Sequence, residues 1–204
     1  MSGERRPPAL LNFAIVDLPR AAFVERMRFH LDRWPAIIYS MTSTSNDWQT
    51  FFAENGELYG FNRGVQMFVF EAGSDRSAYV CNIADGWHSL IWNVAREGHS
   101  AVYFRTTMLA SVPFGVHEME VWSKGEVSRH VRSLQEERGW QFLNNGTPLN
   151  FERTEDFRRR RIKDRFNLSH IEAYCPEFGI RLNDVYSCPG AGTLFQTAPI
   201  NSYH

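Results

Sequence analysis

Seven histidines, three cysteines and a run of arginines are the residues of this 204-residue chain whose types could do chemistry. His30, His88, His99, His117, His130, His170 and His204 are scattered along it. None falls in His-x-x-x-His or a glutamate-bearing variant, the helical spacing that aims two imidazoles at one metal. His170, Cys175 and Cys188 do not make a zinc spacing either, so no metal and no cofactor are expected. A serine nucleophile would need a Gly-x-Ser-x-Gly elbow, which is absent. Pro189-Gly-Ala-Gly192 has the glycines of a phosphate loop without the helix and lysine that should follow. Cys81 lies in an apolar run and reads as a small buried hydrophobe. The motifs name no catalytic residue, and the expectation is a protein that is not an enzyme.

The basic residues carry a different signal. Only Lys124 and Lys163 are lysines, so 20 of the 22 basic residues are arginines. Six arginines and Lys163 fall within 153–165, against three acids, a local charge of +4 that leaves -5 for the remainder of a chain whose net charge is -1. A phosphate-facing helix is one reading of Arg158-Arg-Arg-Arg161. Successive helical residues point about 100° apart, however, so four arginines cannot line one surface. A solvated or ion-paired face is the plainer reading, and the near-neutral total argues against broad nucleic-acid coating.

Two segments could recognise a partner. Residues 41–64 combine Trp48, Phe51 and Tyr59 with Asp47, Glu54 and Glu57, aromatic anchors in an acidic rim of the kind that tight interfaces use. The same aromatics could instead complete the core. Residues 116–122 and 126–131 flank Lys124-Gly125 and read as a hairpin, which would set Glu120 opposite Arg129 and Trp122 opposite Val127. Its Glu118 and Glu120 either pair across the strands or form an acidic ridge for a basic partner.

The elements that must position these groups follow from hydrophobic periodicity. Residues 11–16 read as a buried strand, and Asp17 with Pro19 as the start of a helix with Phe23, Met27, Leu31 and Trp34 on one face. Strands follow at 36–39, 65–71 and 78–83. Asp85 then caps a helix carrying Leu90, Ile91 and Val94 on one face, ended by Gly98. A strand at 101–105 precedes the hairpin, and Asn145-Gly146 reads as a tight turn. Thr154 is placed to cap a helical region over 154–179, and residues 186–204 form an extended tail, packed on the body or mobile. The expected fold is α+β in one compact domain spanning 1–204. It has a mainly antiparallel sheet with flanking helices on one side, and its cadence allows two pseudo-repeated strand-helix-strand-strand halves, 9–72 and 77–150. No apolar stretch approaches the ~20 residues of a membrane span. Three cysteines at unrelated spacings fit reduced thiols, and no signal-peptide core follows residues 1–8, so a cytoplasmic location is expected.

From Asp85 onward the chain resembles the immunity proteins encoded beside secreted interbacterial toxins. The likeness rests on the Asp85-Gly-Trp helix start, the strand Glu126-Val-Ser-Arg-His-Val131 and Gly139-Trp-Gln-Phe142. Gly146-Thr-Pro-Leu-Asn-Phe-Glu152, Arg160-Arg-Ile-Lys-Asp-Arg-Phe166 and Phe178-Gly179 complete it. The resemblance implies a cytoplasmic protein that binds a cognate toxin and occludes its active site. The alternative is a regulatory or nucleic-acid-associated module built on residues 153–165.

Overall fold

The computed structural model describes residues 9–34, 37–44, 64–83, 85–109, 114–187 and 191–198. Leu10–Val16 is apolar on both faces but for Asn12 and is buried along its whole length, the signature of a strand covered from two sides. This strand, β1, sits in the middle of a nine-stranded sheet. The others are β2 (Tyr39–Thr44), β3 (Gln66–Glu71), β4 (Ser77–Cys81) and β5 (Ala101–Thr107). Beyond them come β6 (Val116–Ser123), β7 (Glu126–Glu136), β8 (Gly139–Gly146) and β9 (Gly192–Thr197). Their order across the sheet is β2-β9-β3-β4-β1-β5-β6-β7-β8, and every neighbouring pair is antiparallel. The fold is α+β, as the periodicity predicts.

Alternation along the strands gives each face its own core. On one face Ala14, Val16, Met67, Tyr79, Tyr103 and Trp122 pack against two helices. Helix α1 (Arg20–Leu31) contributes Phe23, Met27 and Leu31, and α2 (His88–Arg96) contributes Leu90, Ile91 and Val94. On the other face Leu11, Phe13, Phe68, Phe104, Met119 and Val131 pack against Phe157, Phe166, Ile171, Tyr174 and Val185. Helical elements therefore cover both faces, not one. Both were needed because β1 and β4 are apolar on both sides. Among the described residues, no helix is long and apolar enough to cross a membrane.

Several expectations are corrected. The strand order does not confirm two repeated halves: β4 of the second segment lies between β3 and β1 of the first, so the two segments interleave in one sheet. Asp17 does not cap α1. Pro19 holds the N-cap position without a side-chain cap, and Asp17 pairs with Arg76 at 2.9 Å. The strand expected at 36–39 begins at Tyr39 and runs on to Thr44. Asn145-Gly146 is not a hairpin turn but the end of β8. The region 154–179 is helical, as expected, but in short pieces. It comprises a 3-10 turn Thr154–Arg158, a second Ile162–Asp164, the helix α3 (Leu168–Tyr174) and a last turn Cys175–Phe178. Thr154 does not cap, whereas Asn167 does: its side chain accepts the Ser169 N–H, and His170 returns a bond to the Asn167 N–H. Of the tail expected over 186–204, Tyr186 and Ser187 instead end helix α4 (Leu182–Ser187), and Gly192–Thr197 is strand β9 inside the sheet.

Candidate functional site: a charged cleft beside helix α2

The β6–β7 hairpin turns on Lys124 and Gly125, at φ of 52° and 86°. Left-handed values at both positions make the tight turn whose twist matches paired strands. Trp122 faces Val127 as expected, but a bulge between Val121 and Trp122 shifts the register beyond it. Glu120 therefore faces His130, and Val121 faces Arg129. The expected Glu120–Arg129 pair is overturned, because one extra residue moves every later side chain of β7 to the other face.

Arg129 is thereby driven into the core beneath the C-terminal segment. Its Nη2 and Nε donate to Glu152 at 2.6 and 2.8 Å, both side chains being fully buried. Its Nη1 donates to the carbonyls of Asn145 and Gly146, and Glu152 also accepts the Leu149 N–H at 2.9 Å. This is a structural clamp between β7, the end of β8 and the following turn.

The bulge also brings His130 onto the face that carries α2. Two rows of side chains now cross the strands there: Tyr103, Glu120 and His130 in one, and Arg105, Glu118 and Arg132 in the next. With Asp85, His88 and Ser89 from the start of α2 they line a cleft of about 430 Å³. Gly86 lets α2 approach so closely. Its φ is 63°, and a Cβ there would meet the Asn12 Cβ at 2.7 Å and the Tyr103 hydroxyl at 2.8 Å. The Asp85 carboxylate accepts the Trp87 N–H, and the buried Tyr103 hydroxyl donates to the Asp85 carbonyl.

The cleft floor is a chain of ion pairs. Glu118 receives Arg105 at 2.9 Å on Oε2, and His130 Nε2 at 2.8 Å with Arg132 at 3.6 Å on Oε1. Burial pushes its carboxyl up, but the His130 hydrogen bond and the Arg105, His130 and Arg132 charges outweigh burial and hold it below the usual carboxylate range. Glu120 accepts His88 Nε2 at 3.1 Å on Oε2, and the same oxygen lies 4.0 Å from His130 Nδ1. Rigid strands hold all of these groups except His88, so the cleft presents fixed, partly desolvated charges of both signs.

Of the residues proposed from sequence for partner contact, Asp47, Trp48, Phe51, Glu54, Glu57 and Tyr59 lie outside the described residues. Glu118 and Glu120 are brought together, but at 6% and 7% exposure they form the floor of a cleft, not an exposed ridge. Sequence reading missed His88, Arg105 and Arg132. The signal available was the two-residue spacing of Glu118 and Glu120 across the hairpin from His130, which the unforeseen bulge obscured.

The arginine run resolves into mixed roles. Arg159 pairs with Asp156 at 2.7 Å, Arg161 with Asp164 at 2.6 Å, and Arg165 donates to the Arg159 carbonyl. Arg158 and Arg160 are exposed, with no ion partner among the described residues. Cys81 and Cys175 are buried free thiols, and burial raises Cys81 to about 12, which removes it as a nucleophile. A larger hollow of about 850 Å³ lies at the β7–β8 turn, lined by Phe114, Gln135, Glu136, Glu137, Arg138 and Gln141. It is the relief of an exposed hairpin tip and lacks the multi-element charge cluster of the cleft beside α2.

Comparison with known proteins found no match: no family model, no curated protein and no solved structure matches the chain.

Proposed function

We propose that this protein works by binding another protein, and that it is a cytoplasmic immunity protein that occludes the active site of a cognate bacterial toxin without catalysis of its own. The observation that carries the reading is the open half of the sheet. Helices α1 and α2 cover one face of the central strands, but over β7 and β8 that face stays accessible, with the ion-pair cluster beside it and exposed Val127 and Leu143 on it. Charges already fixed by their neighbours cost little further ordering when a partner docks, and a mixed-sign pattern sets the register of the partner's own charges. The resemblance of the region from Asp85 onward to immunity proteins supports a toxin as that partner.

Co-expression with the toxin encoded beside its gene tests the reading. The expected result is growth rescue and a complex that survives size exclusion. Failure to give either result overturns it. Replacing Arg132 and Leu143 together by alanine is expected to weaken the complex at least tenfold without changing thermal stability.

A further inference from the structure

Strand β8 is the last strand of the sheet, and its residues run in register with β7 without a bulge. The ladder tells which of its backbone groups face outward. The Gln135 N–H donates to the Gly115 carbonyl on the β6 side. Bonding alternates along an antiparallel pair, so Leu134, Arg132 and His130 bond to β8 instead, and Gln141, Leu143 and Asn145 bond back to them. Trp140, Phe142 and Asn144 therefore turn N–H and C=O toward the open edge. Folds blunt such an edge with charged residues, prolines or bulges, and Gly139–Gly146 has none of the three. It instead carries Leu143, 36% exposed. Arg129 fixes the far end of the strand through the Asn145 and Gly146 carbonyls, so little ordering remains when another strand docks. Strand β2, at the opposite end of the sheet, is shorter and has serine or threonine at four of its six positions.

We propose that β8 pairs with β8 of a second copy of this chain, antiparallel about a two-fold axis at Leu143, so that the nine-stranded sheets of the two copies join into one. A two-fold axis brings a strand against its own sequence, so a charged edge repels its copy and an uncharged one does not. The outward groups fit this register. With Leu143 opposite Leu143, Phe142 of one copy meets Asn144 of the other. Both are outward-bonding positions, and each such pair exchanges two backbone hydrogen bonds. Leu143 then takes a non-bonded position, where side chains come closest, and packs against its own copy. The nearest like charge in this row is Arg132, one strand behind. It lies three strand spacings from the same residue across the axis, ~14 Å, beyond the screening length of about 8 Å at physiological salt. The axis stands perpendicular to the sheet, so the two clefts beside α2 open on the same side. Side chains stand off the face, so pairing at the edge leaves the open face of β7 and β8 in place and doubles it. This pairing is independent of the toxin reading.

Sedimentation of the full chain, with no other protein present, tests the proposal. Twice the chain mass of 23.7 kDa is expected at micromolar concentration. Asn144→Pro removes only an outward donor and keeps the bonds to β7, a substitution that edge strands accept. It should raise the dimer dissociation constant more than tenfold while the chain stays folded. Leu143→Lys and Leu143→Glu each set like charges face to face and should each be monomeric, while an equimolar mixture of the two should form a mixed dimer. In a Cys188→Ser background, Leu143→Cys should form a disulfide across the axis under mild oxidation, and Gln141→Cys, which faces Asn145 of the other copy, should not. A monomeric wild type, a dimer that persists in folded Asn144→Pro, a charge-swapped mixture that stays monomeric, or a disulfide from Gln141→Cys in place of Leu143→Cys would each overturn the proposal.

Discussion

Arg129 and His130 are sequence neighbours with opposite fates, and one bulge separates them. Arg129 and Glu152 are buried at 0% side-chain exposure, and their three bonding partners beyond each other are backbone groups. Removing one member leaves an uncompensated buried charge, so Glu152→Ala is expected to cost about 3–5 kcal/mol in urea unfolding. Replacing both by methionine should cost distinctly less, because neither charge is then stranded. A Glu152→Ala cost no larger than that of the double variant would refute this reading. His117 makes a second residue-scale prediction. It alternates with Glu118 onto the opposite face of β6, where Nδ1 meets the Thr106 hydroxyl at 2.9 Å and the ring stacks on Trp140. Burial, with the His170 charge adding to it, lowers it from 6.5 to about 4. The folded protein thus keeps it neutral where the unfolded chain takes a proton. Its contribution is complete above pH 6.5 and is lost as the pH falls toward 4, by roughly 3 kcal/mol in total. His117→Asn should flatten the decline of unfolding free energy between those values. The slope that remains belongs partly to His170, which burial also lowers. A slope unchanged in the variant would exclude His117 as its source.

At the scale of elements, legibility follows burial. Strand β1, helices α1 and α2 and the hairpin turn were readable because each carries an apolar face at its own period, bounded by Pro19, Gly98 or Lys124-Gly125. Strand β8 was not, because an edge strand needs little apolar surface: Gln141, Asn144 and Asn145 are exposed, and Asn145-Gly146 mimics a turn. The segment after it was legible as helical but not as broken, because Phe157, Ile162 and Phe166 recur near helical spacing while Arg159, Arg161 and Arg165 bond to nearby acids or carbonyls. The cleft was half legible. Its glutamates stand out in sequence, but their partners depend on a bulge and on tertiary pairing of β5 with β6. Two substitutions probe how elements are set. Asn167→Ala removes the α3 cap and should cost about 1 kcal/mol, read as a lower urea midpoint. Gly86→Ala should cost more, since it combines positive φ with contacts of 2.7 and 2.8 Å to Asn12 and Tyr103. By displacing α2 it should also alter the His88 contact with Glu120, seen as a shifted His88 proton resonance. An alanine variant with native stability would mean that the α2 turn is not held as described.

The whole molecule closes only when its last strand arrives. Strand β9 inserts between β2 and β3, and its register runs from Tyr39 opposite Thr197 to Phe70 opposite Gly192. Gln66, Met67 and Phe68 pair with a segment more than 120 residues away, and until that happens β3 is an edge with both faces apolar. Such an edge is a template for aggregation, and pairing at this separation is slow because loop closure comes before its reward. Strand β9 can fit only where Gly192 passes the Phe68 ring, since a Cβ at that position would lie 2.2 Å from it. Truncation after Ser187 is therefore expected to abolish cooperative unfolding and to give dye-binding aggregates. Gly192→Val, in the full-length chain, should have the same character to a lesser degree, because the strand is present but obstructed. Hydrogen exchange locates the effect: in Gly192→Val, amides of β2, β3 and β9 should lose protection while those of β5, β6 and β7, at the far side of β1, keep theirs. Uniform loss across all nine strands would show instead that the sheet folds and fails as one unit. Retained protection in β3 would show that β4 alone is enough to hold it.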